Sequence, residues 1–305
     1  IEIANGKVTM QGATCECGTG SVEASITIDG GLFDLVLAGY DLPVSGRLAD
    51  VLPRSASDSL AKSWDMLHPS GLMDATIRIN HSDDNDSLHM NITPKTLVVS
   101  GNDTSVDLQR VSGEVVVENS DVFFNDLEFA LVQNQNPQGV LQIAGSVSGS
   151  KDESRIDLTA ELRDAPIDSS LTRAITGIVG GDWGLDYYDS LQPTGMGSAS
   201  LAANGNLDDI SYNIEIIPTE LVATFTDRLA VVEFGEGREN RIRFNNEGIT
   251  FEDIGGKLGE GRLSLDGIIN TKSGVNGLFQ LDWAGPSHDE SLFAVLPSVV
   301  GDTLE

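Results

Sequence analysis

The chain has little of what several functional classes require. Only 18 of its 305 residues are Lys or Arg, against 47 Asp or Glu, a formal net charge of −29. Such a surface repels phosphate backbones and has no basic patch from which binding would release counterions, so no nucleic-acid partner is expected. The same charge opposes flat docking on an anionic leaflet and favours solubility. No apolar run approaches the roughly 20 residues that span a bilayer, and the N-terminus has no signal-peptide pattern. Cysteine is confined to Cys15 and Cys17. Two positions apart, they cannot staple distant segments, and a zinc site would need further ligands. His68, His81, His89 and His288 lie far from them in sequence. Neither a metal nor a cofactor is expected.

What the chain does have is glycine, 33 residues of it, with abundant Val, Ile, Leu, Thr and Ser and only 6% aromatics. That mixture belongs to mainly β folds with many turns. Period-two alternation is plain. Ile156, Leu158, Ala160 and Leu162 alternate with Asp157, Thr159, Glu161 and Arg163, and Val22, Ala24, Ile26 and Ile28 with Glu23, Ser25 and Thr27. Tyr212, Ile214 and Ile216 do the same against Asn213 and Glu215. Such strands have one apolar and one wet face. Turns at Asn102-Asp103, Asn204-Gly205-Asn206 and Asn245-Asn246-Glu247-Gly248 fit an antiparallel meander.

The sequence also repeats. Leu48-Ala49-Asp50-Val51-Leu52-Pro53 returns as Leu292-Phe293-Ala294-Val295-Leu296-Pro297, a displacement of 244 residues, twice 122. A degenerate copy, Leu171-Thr172-Arg173-Ala174-Ile175, sits midway, preceded by Ala165-Pro166 as Leu42-Pro43 and Gly285-Pro286 precede the others. Leu67-His68-Pro69-Ser70-Gly71 returns as Leu191-Gln192-Pro193-Thr194-Gly195, and Phe124-Asn125-Asp126-Leu127 as Phe251-Glu252-Asp253-Ile254. Fixed-period self-similarity marks stacked units. With a period of about 120 residues, 1–30 read as the C-terminal part of a preceding repeat, 31–153 as repeat unit 1, 154–276 as repeat unit 2 and 277–305 as the start of a further repeat of a larger protein. Each unit is expected to hold a short amphipathic helix. In the first, Ser57 is its N-cap, with Leu60, Trp64 and Leu67 on one face; in the second it carries Leu171, Ile175 and Ile178.

Catalytic patterns are missing. There is no Gly-x-Ser-x-Gly elbow, and the histidines occupy non-equivalent repeat positions. His81-Ser82-Asp83-Asp84-Asn85-Asp86 lacks the glycine and glutamate spacing of a calcium loop and reads as a solvated hairpin tip. Gly255-Gly256-Lys257 lacks the strand-loop-helix context of a phosphate cradle. Trp64, Trp183 and Trp283 read as packing anchors. With 47 acidic residues, some carboxylate pairs arise on any fold and single out no glycosidase. A non-enzymatic role is expected.

Phe33 to Leu37 leading into Asp41-Leu42-Pro43, then Leu48 to Pro53, Trp64, Leu67 to Gly71 and Met73 to Ile79, with their counterparts from Asp164 to Ala202, resemble the AsmA-like family. This family includes the TamB and YhdP type envelope proteins, within the repeating β-groove, bridge-like lipid transfer group. The resemblance spans nearly the whole chain through a degenerate pattern. It implies a long antiparallel sheet curved into a U-shaped, taco-like groove whose aliphatic inner face holds phospholipid acyl chains between inner and outer membranes. It also implies a periplasmic location and an inner-membrane anchor outside 1–305. On this reading Leu141, Ile143, Leu158, Leu162, Ile214, Ile216, Leu263 and Leu265 line the groove. Acyl chains, neighbouring repeats of the same chain and other envelope proteins are the expected partners. The competing expectation is a structural or adhesive repeat-β scaffold of the cell surface without lipid cargo.

Overall fold

The computed structural model describes residues 1–44, 70–82, 85–101, 104–133, 136–149, 155–167, 194–206, 209–225, 230–234, 240–258, 260–270 and 276–285. Among these, every regular element is a strand: β1 (Glu2–Ala4), β2 (Lys7–Cys17), β3 (Gly20–Asp29), β4 (Leu32–Val44), β5 (Ser70–Ser82), β6 (Asn85–Gly101), β7 (Thr104–Glu118), β8 (Asp121–Gln133), β9 (Asn136–Ser148), β10 (Arg155–Pro166), β11 (Thr194–Asn206), β12 (Asp209–Phe225), β13 (Ala230–Phe234), β14 (Arg241–Asn245), β15 (Gly248–Leu258), β16 (Gly261–Asn270) and β17 (Asn276–Ala284). All belong to one 17-stranded antiparallel sheet. The expected helical stretches, with Ser57, Leu60, Trp64 and Leu67 or with Leu171, Ile175 and Ile178, lie outside the described residues, as do the Leu48 to Pro53 hexamer and its two copies.

Two compact units divide the chain. The first comprises Ile1–Pro137, Leu141–Ala160 and Ala203–Ile210, and the second Gln138–Val140, Glu161–Ala202 and Ser211–Glu305. In the first, β2 to β8 form a meander in which each strand pairs antiparallel with the next. The register carries apolar side chains into rows. Ala13, Ala24, Leu37, Ile77, Met90, Val117 and Val122 follow one another across the seven strands, and beside them run Cys15, Val22, Gly39, Ala75, Ile92, Val115 and Phe124. Opposed residues share a face, so these rows form one apolar surface. A row on the other face reads Thr9, Thr27, Asp34, Asn80 and Ser87.

Alternation is interrupted where the strands bulge. In β8, Phe124 faces the apolar side; Asp126 takes φ 46°, and Leu127 is buried at 3% exposure, so apolar positions pass from even to odd numbers. β2 switches the same way at Gly12, and β4 at Asp41 and β15 at Asp253 switch from odd to even. A bulge sets two residues against one, bends its strand and moves the apolar set across the pleat. Aspartate tolerates the left-handed region better than β-branched or bulky residues do. In the first unit the irregularities of β4, β6, β7 and β8 fall at adjacent levels of the sheet, around Asp41, Lys95, Gly113 and Asp126.

The core of the first unit gathers around that line. Val44, Met73, Ala75, Met90, Ile92, Val117 and Val122 form one buried cluster, with Leu42, Ile77, Leu97, Val115, Phe124 and Val147 packed against it. Val117 is 0% exposed and Met90 2%. In the second unit, Ile214, Phe244, Ile249 and Ile269 make one row and Ile216, Ile242, Phe251 and Gly267 the next.

Two substitutions at Asp126 separate backbone strain from side-chain loss, because this side chain is exposed. Asp126→Val forces a β-branched residue into the left-handed region and is expected to cost about 1–2 kcal/mol. Asp126→Gly should stay within about 0.5 kcal/mol of the parent. Urea unfolding followed by circular dichroism measures both, and equal stabilities would show that the bulge geometry is not under conformational constraint.

Candidate functional site

A candidate site has to be built from faces and bulges, because the described residues contain no group of three or more His, Cys, Asp or Glu able to hold a metal ion. Cys15 and Cys17 are exposed free thiols, opposite Val22 and Gly20. His81 Nδ1 contacts Asp86 Oδ1 across the β5–β6 hairpin, beside a tip that lies outside the described residues. No helix among the described residues is long and apolar enough to cross a membrane. Trp64 and Trp183 lie outside the described residues; the indole of Trp283 stands where any side chain on Gly261 would go.

Two surfaces remain, the faces of the ladder. The wet face is organised by cross-strand polar pairs. Arg78 donates through Nε and Nη2 to the two carboxylate oxygens of Asp34, at 3.2 and 3.1 Å. Asn91 donates to Glu114 at 2.7 Å, and Gln142 to Glu128 at 2.7 Å. In the second unit Arg243 bridges Glu215 at 3.0 Å and Glu252 at 2.6 Å, while Arg241 reaches Glu215 at 3.2 Å. Exposed pairs of this kind add little stability, but burying any of them in the apolar face would strand a charge, so they settle which side stays wet.

The apolar face is graded. It is closed around Met90, Val117, Leu108 and Leu131, and opens along the strands towards Ile28 and Ile79, which are 38% and 37% exposed. Of the eight residues expected to line a groove, Leu162, Ile214 and Leu263 are buried, whereas Leu141, Ile143, Leu158, Ile216 and Leu265 are half-buried. Within the second unit, the register sets Ile214, Ile216, Leu263 and Leu265 on one face. Leu141 and Ile143 alternate with Gln142, whose amide bonds Glu128. They share the parity of Val147, which packs on the core of the first unit.

Alternation alone did not reveal the polar joint at the bulges. The N–H of Asp41 donates to Asp74 Oδ1 at 2.9 Å, that of Asp164 to Ser198 Oγ at 3.3 Å, and that of Asp253 to Asp266 Oδ1 at 2.8 Å. In each case an aspartate with positive φ gives its N–H to an oxygen of the following strand. The signal was present in the sequence as an aspartate at three of the breaks of the period-two pattern, Asp41, Asp126 and Asp253. Around Asp41 the joint is ionic: Lys95 Nζ lies 2.7 Å from Asp41 Oδ1 and 2.8 Å from Asp74 Oδ1. Partial burial pushes the Asp74 carboxyl up, but bonds from Lys95 and from the Asp41 N–H outweigh this and hold it below its ordinary value of 3.8. Bonding to Asp41 and then Asp74 raises Lys95 above its ordinary 10.5. At the corresponding place in the second unit Thr219 donates to the Met196 carbonyl at 3.1 Å, a neutral joint.

Comparison with known proteins adds no relative: no family model, no curated protein and no solved structure matches the chain.

The ionic joint predicts a pH signature. Asp74, depressed when folded, contributes stability that is present above the carboxylate range and lost as pH falls through it; Lys95, raised when folded, contributes stability lost only at strongly alkaline pH. Lys95→Met should therefore lower the urea midpoint by a small amount that is constant from about pH 5 to 9, vanishes below about pH 3 and shrinks in high salt. A difference that persists at acid pH would mean that packing of the lysine stem, and not its charge, matters.

Proposed function

We propose that this chain is a non-enzymatic, lipid-holding segment of an envelope protein, in which the apolar face of the sheet takes up phospholipid acyl chains and the wet face stays in solvent. One observation carries the reading: in the first unit, apolar side chains run in unbroken rows across seven consecutive strands of a single layer, and part of that surface is half-exposed. An apolar sheet face in water must be covered by protein, partner or ligand. At about 0.8 kcal/mol per buried methylene, a few carbons of an acyl chain offset several kcal/mol of exposed apolar surface. Because the head group of such a lipid projects into solvent, the lining needs no polar recognition group.

The bulges support a groove as the form of this surface. Irregularities at adjacent levels of β4, β6, β7 and β8 each bend their strand. In this proposal they curl the layer along its length into a U-shaped trough. Repeats of about 120 residues build it, as the spacing of strands suggests: β4, β5, β6 and β8 begin at 32, 70, 85 and 121, and β10, β11, β12 and β15 at 155, 194, 209 and 248, displacements of 123 to 127. Transport between inner and outer membranes, a periplasmic setting and an anchor elsewhere in the protein belong to the same proposal and follow from the AsmA-like resemblance.

A second reading, a repeat-β scaffold without cargo, has its own support in the cluster around Val117 and Met90, which protein already fills. The two differ in whether a guest enters. Mass spectrometry of lipids extracted from the purified chain, with photo-crosslinking from Leu158 and Ile214, should recover acyl chains. Ile77→Asp, in the middle of an apolar row, is expected to weaken binding of a fluorescent fatty acid at least 10-fold. Thr76→Asp, one residue along on the wet face, should leave binding within about twofold. Folding of both is checked by circular dichroism, and absence of bound or crosslinked lipid in the parent chain decides for the scaffold.

A further inference from the structure

The β2–β3 hairpin closes through Cys17↔Gly20, so Gly18 and Thr19 make its turn. Gly18 takes φ 65°, and a side chain there would stand 3.6 Å from Pro43 Cγ, so the turn leans on β4. Gly20 comes closer still. A side chain on it would collide with the carbonyls of Tyr40 and Asp41, at the point where β4 bulges. Only glycine lets the hairpin and the bulge approach this far. Where they meet, a hollow of about 370 Å3 is lined by Glu16, Thr19, Ser21, Tyr40 and Asp41, with the two glycines at its base.

Register puts Glu16, Ser21 and Tyr40 in one row across β2, β3 and β4, on the face that carries Glu23 and Asn91. The hollow therefore belongs to the wet side and is separate from the apolar face. Its far wall is braced. The Asp41 N–H donates to Asp74 Oδ1 at 2.9 Å, and Lys95 Nζ holds Asp41 Oδ1 at 2.7 Å, so this carboxylate is fixed before any ligand arrives. Tyr40 is 50% exposed, an aromatic ring on an otherwise polar surface.

The lining restricts what fits. Two carboxylates repel an anion. A bound cation would need more ligands than these two, and the described residues contain no group of three or more His, Cys, Asp or Glu able to hold a metal ion. Ionised carboxylates only accept hydrogen bonds, whereas the hydroxyls of Thr19, Ser21 and Tyr40 both donate and accept. A neutral ring bearing several hydroxyls satisfies all of these at once, and its C–H face matches the apolar body of the tyrosine. The volume lies at the small end of ligand sites and accommodates one such ring.

We infer that the hollow between the β2–β3 turn and the bulge of β4 binds one hexopyranose ring of a neutral sugar. In this site Tyr40 stacks on a C–H face of the ring, and Glu16 and Asp41 accept bonds from its hydroxyls. The assignment does not depend on what the apolar face holds. It gives the chain a second, polar contact with its surroundings.

The test titrates the whole chain with methyl β-glucoside, methyl β-galactoside and their β-linked tetrasaccharides, read by saturation-transfer NMR. Saturable transfer to the C–H protons of one ring face is expected, and a diazirine-bearing glucoside should crosslink within Glu16–Ser21 or at Tyr40 and Asp41. Tyr40→Ala should weaken binding at least 10-fold, while Tyr40→Phe, which keeps the ring, should stay within about threefold. Neither exposed substitution should change the circular dichroism spectrum or fatty-acid binding. A tetrasaccharide that binds more tightly than its glycoside places the ring within a longer glycan, and equal affinity makes this a site for a single ring or a chain end. Absence of saturable transfer, crosslinks that map elsewhere, or parent-like binding by Tyr40→Ala would each overturn the assignment. So would crosslinking suppressed by calcium chloride and not by sodium chloride of equal ionic strength, which would give the hollow to a cation.

Discussion

Everything in this fold follows from the two-sidedness of a hydrogen-bonded ladder. Backbone groups are satisfied sideways by neighbouring strands, so a single layer can grow without limit in that direction, but its side chains emerge alternately on two faces that must meet different surroundings. Here one face carries rows such as Leu37, Ile77, Met90, Val117 and Val122, and the other carries Asp34, Asn80, Arg78 and Glu114. A one-residue slip would exchange them, placing Arg78 against Met90 and Ile77 in water. The penalty for stranding a charge in the core far exceeds what any of the surface ion pairs returns, so register is secured chiefly by the apolar rows.

Bulges modify this rule without abandoning it. Each moves the apolar positions from one parity to the other and bends its strand, and several do so at a residue that accepts a left-handed backbone. Asp41, Asp126, Asp164 and Asp253 serve, and Gly12 does the same in β2. In three of these cases the extra N–H is satisfied by an oxygen from the next strand, whether Asp74, Ser198 or Asp266 supplies it. The chemistry of the joint varies while its backbone role does not: an ammonium bridges two carboxylates at Lys95, whereas at Thr219 a hydroxyl finds a carbonyl. The accepting oxygen is a carboxylate at Asp74 and Asp266 and a hydroxyl at Ser198.

The grading of the apolar face links packing to the proposed role. Around Val117 and Met90 the sheet is filled by its own side chains and behaves as a core. Towards Ile28 and Ile79 the rows open to solvent, and there, in the proposed role, a guest chain would gain most, since it would cover surface that protein leaves open. In the proposed role, the distribution of burial along the strands, and not the hydrophobicity of any one residue, would decide where an acyl chain is held.

Much of this was legible in the residue order. Strand-rich character, the one-sided apolar pattern in β3, β10 and β12, and the turn at Asn245 to Gly248 follow from local chemistry, because side-chain alternation and turn propensity act over a few residues. The bulges were not legible by alternation alone, because an aspartate at a break in the period looks like the end of a strand until the partner strand is seen to continue past it. Nor could alternation distinguish Leu162, Ile214 and Leu263, which are buried, from Leu158 and Ile216, which are half-buried. That difference depends on what lies across the face, and contacts between residues far apart in the chain are decided only when the ladder has been assembled and bent.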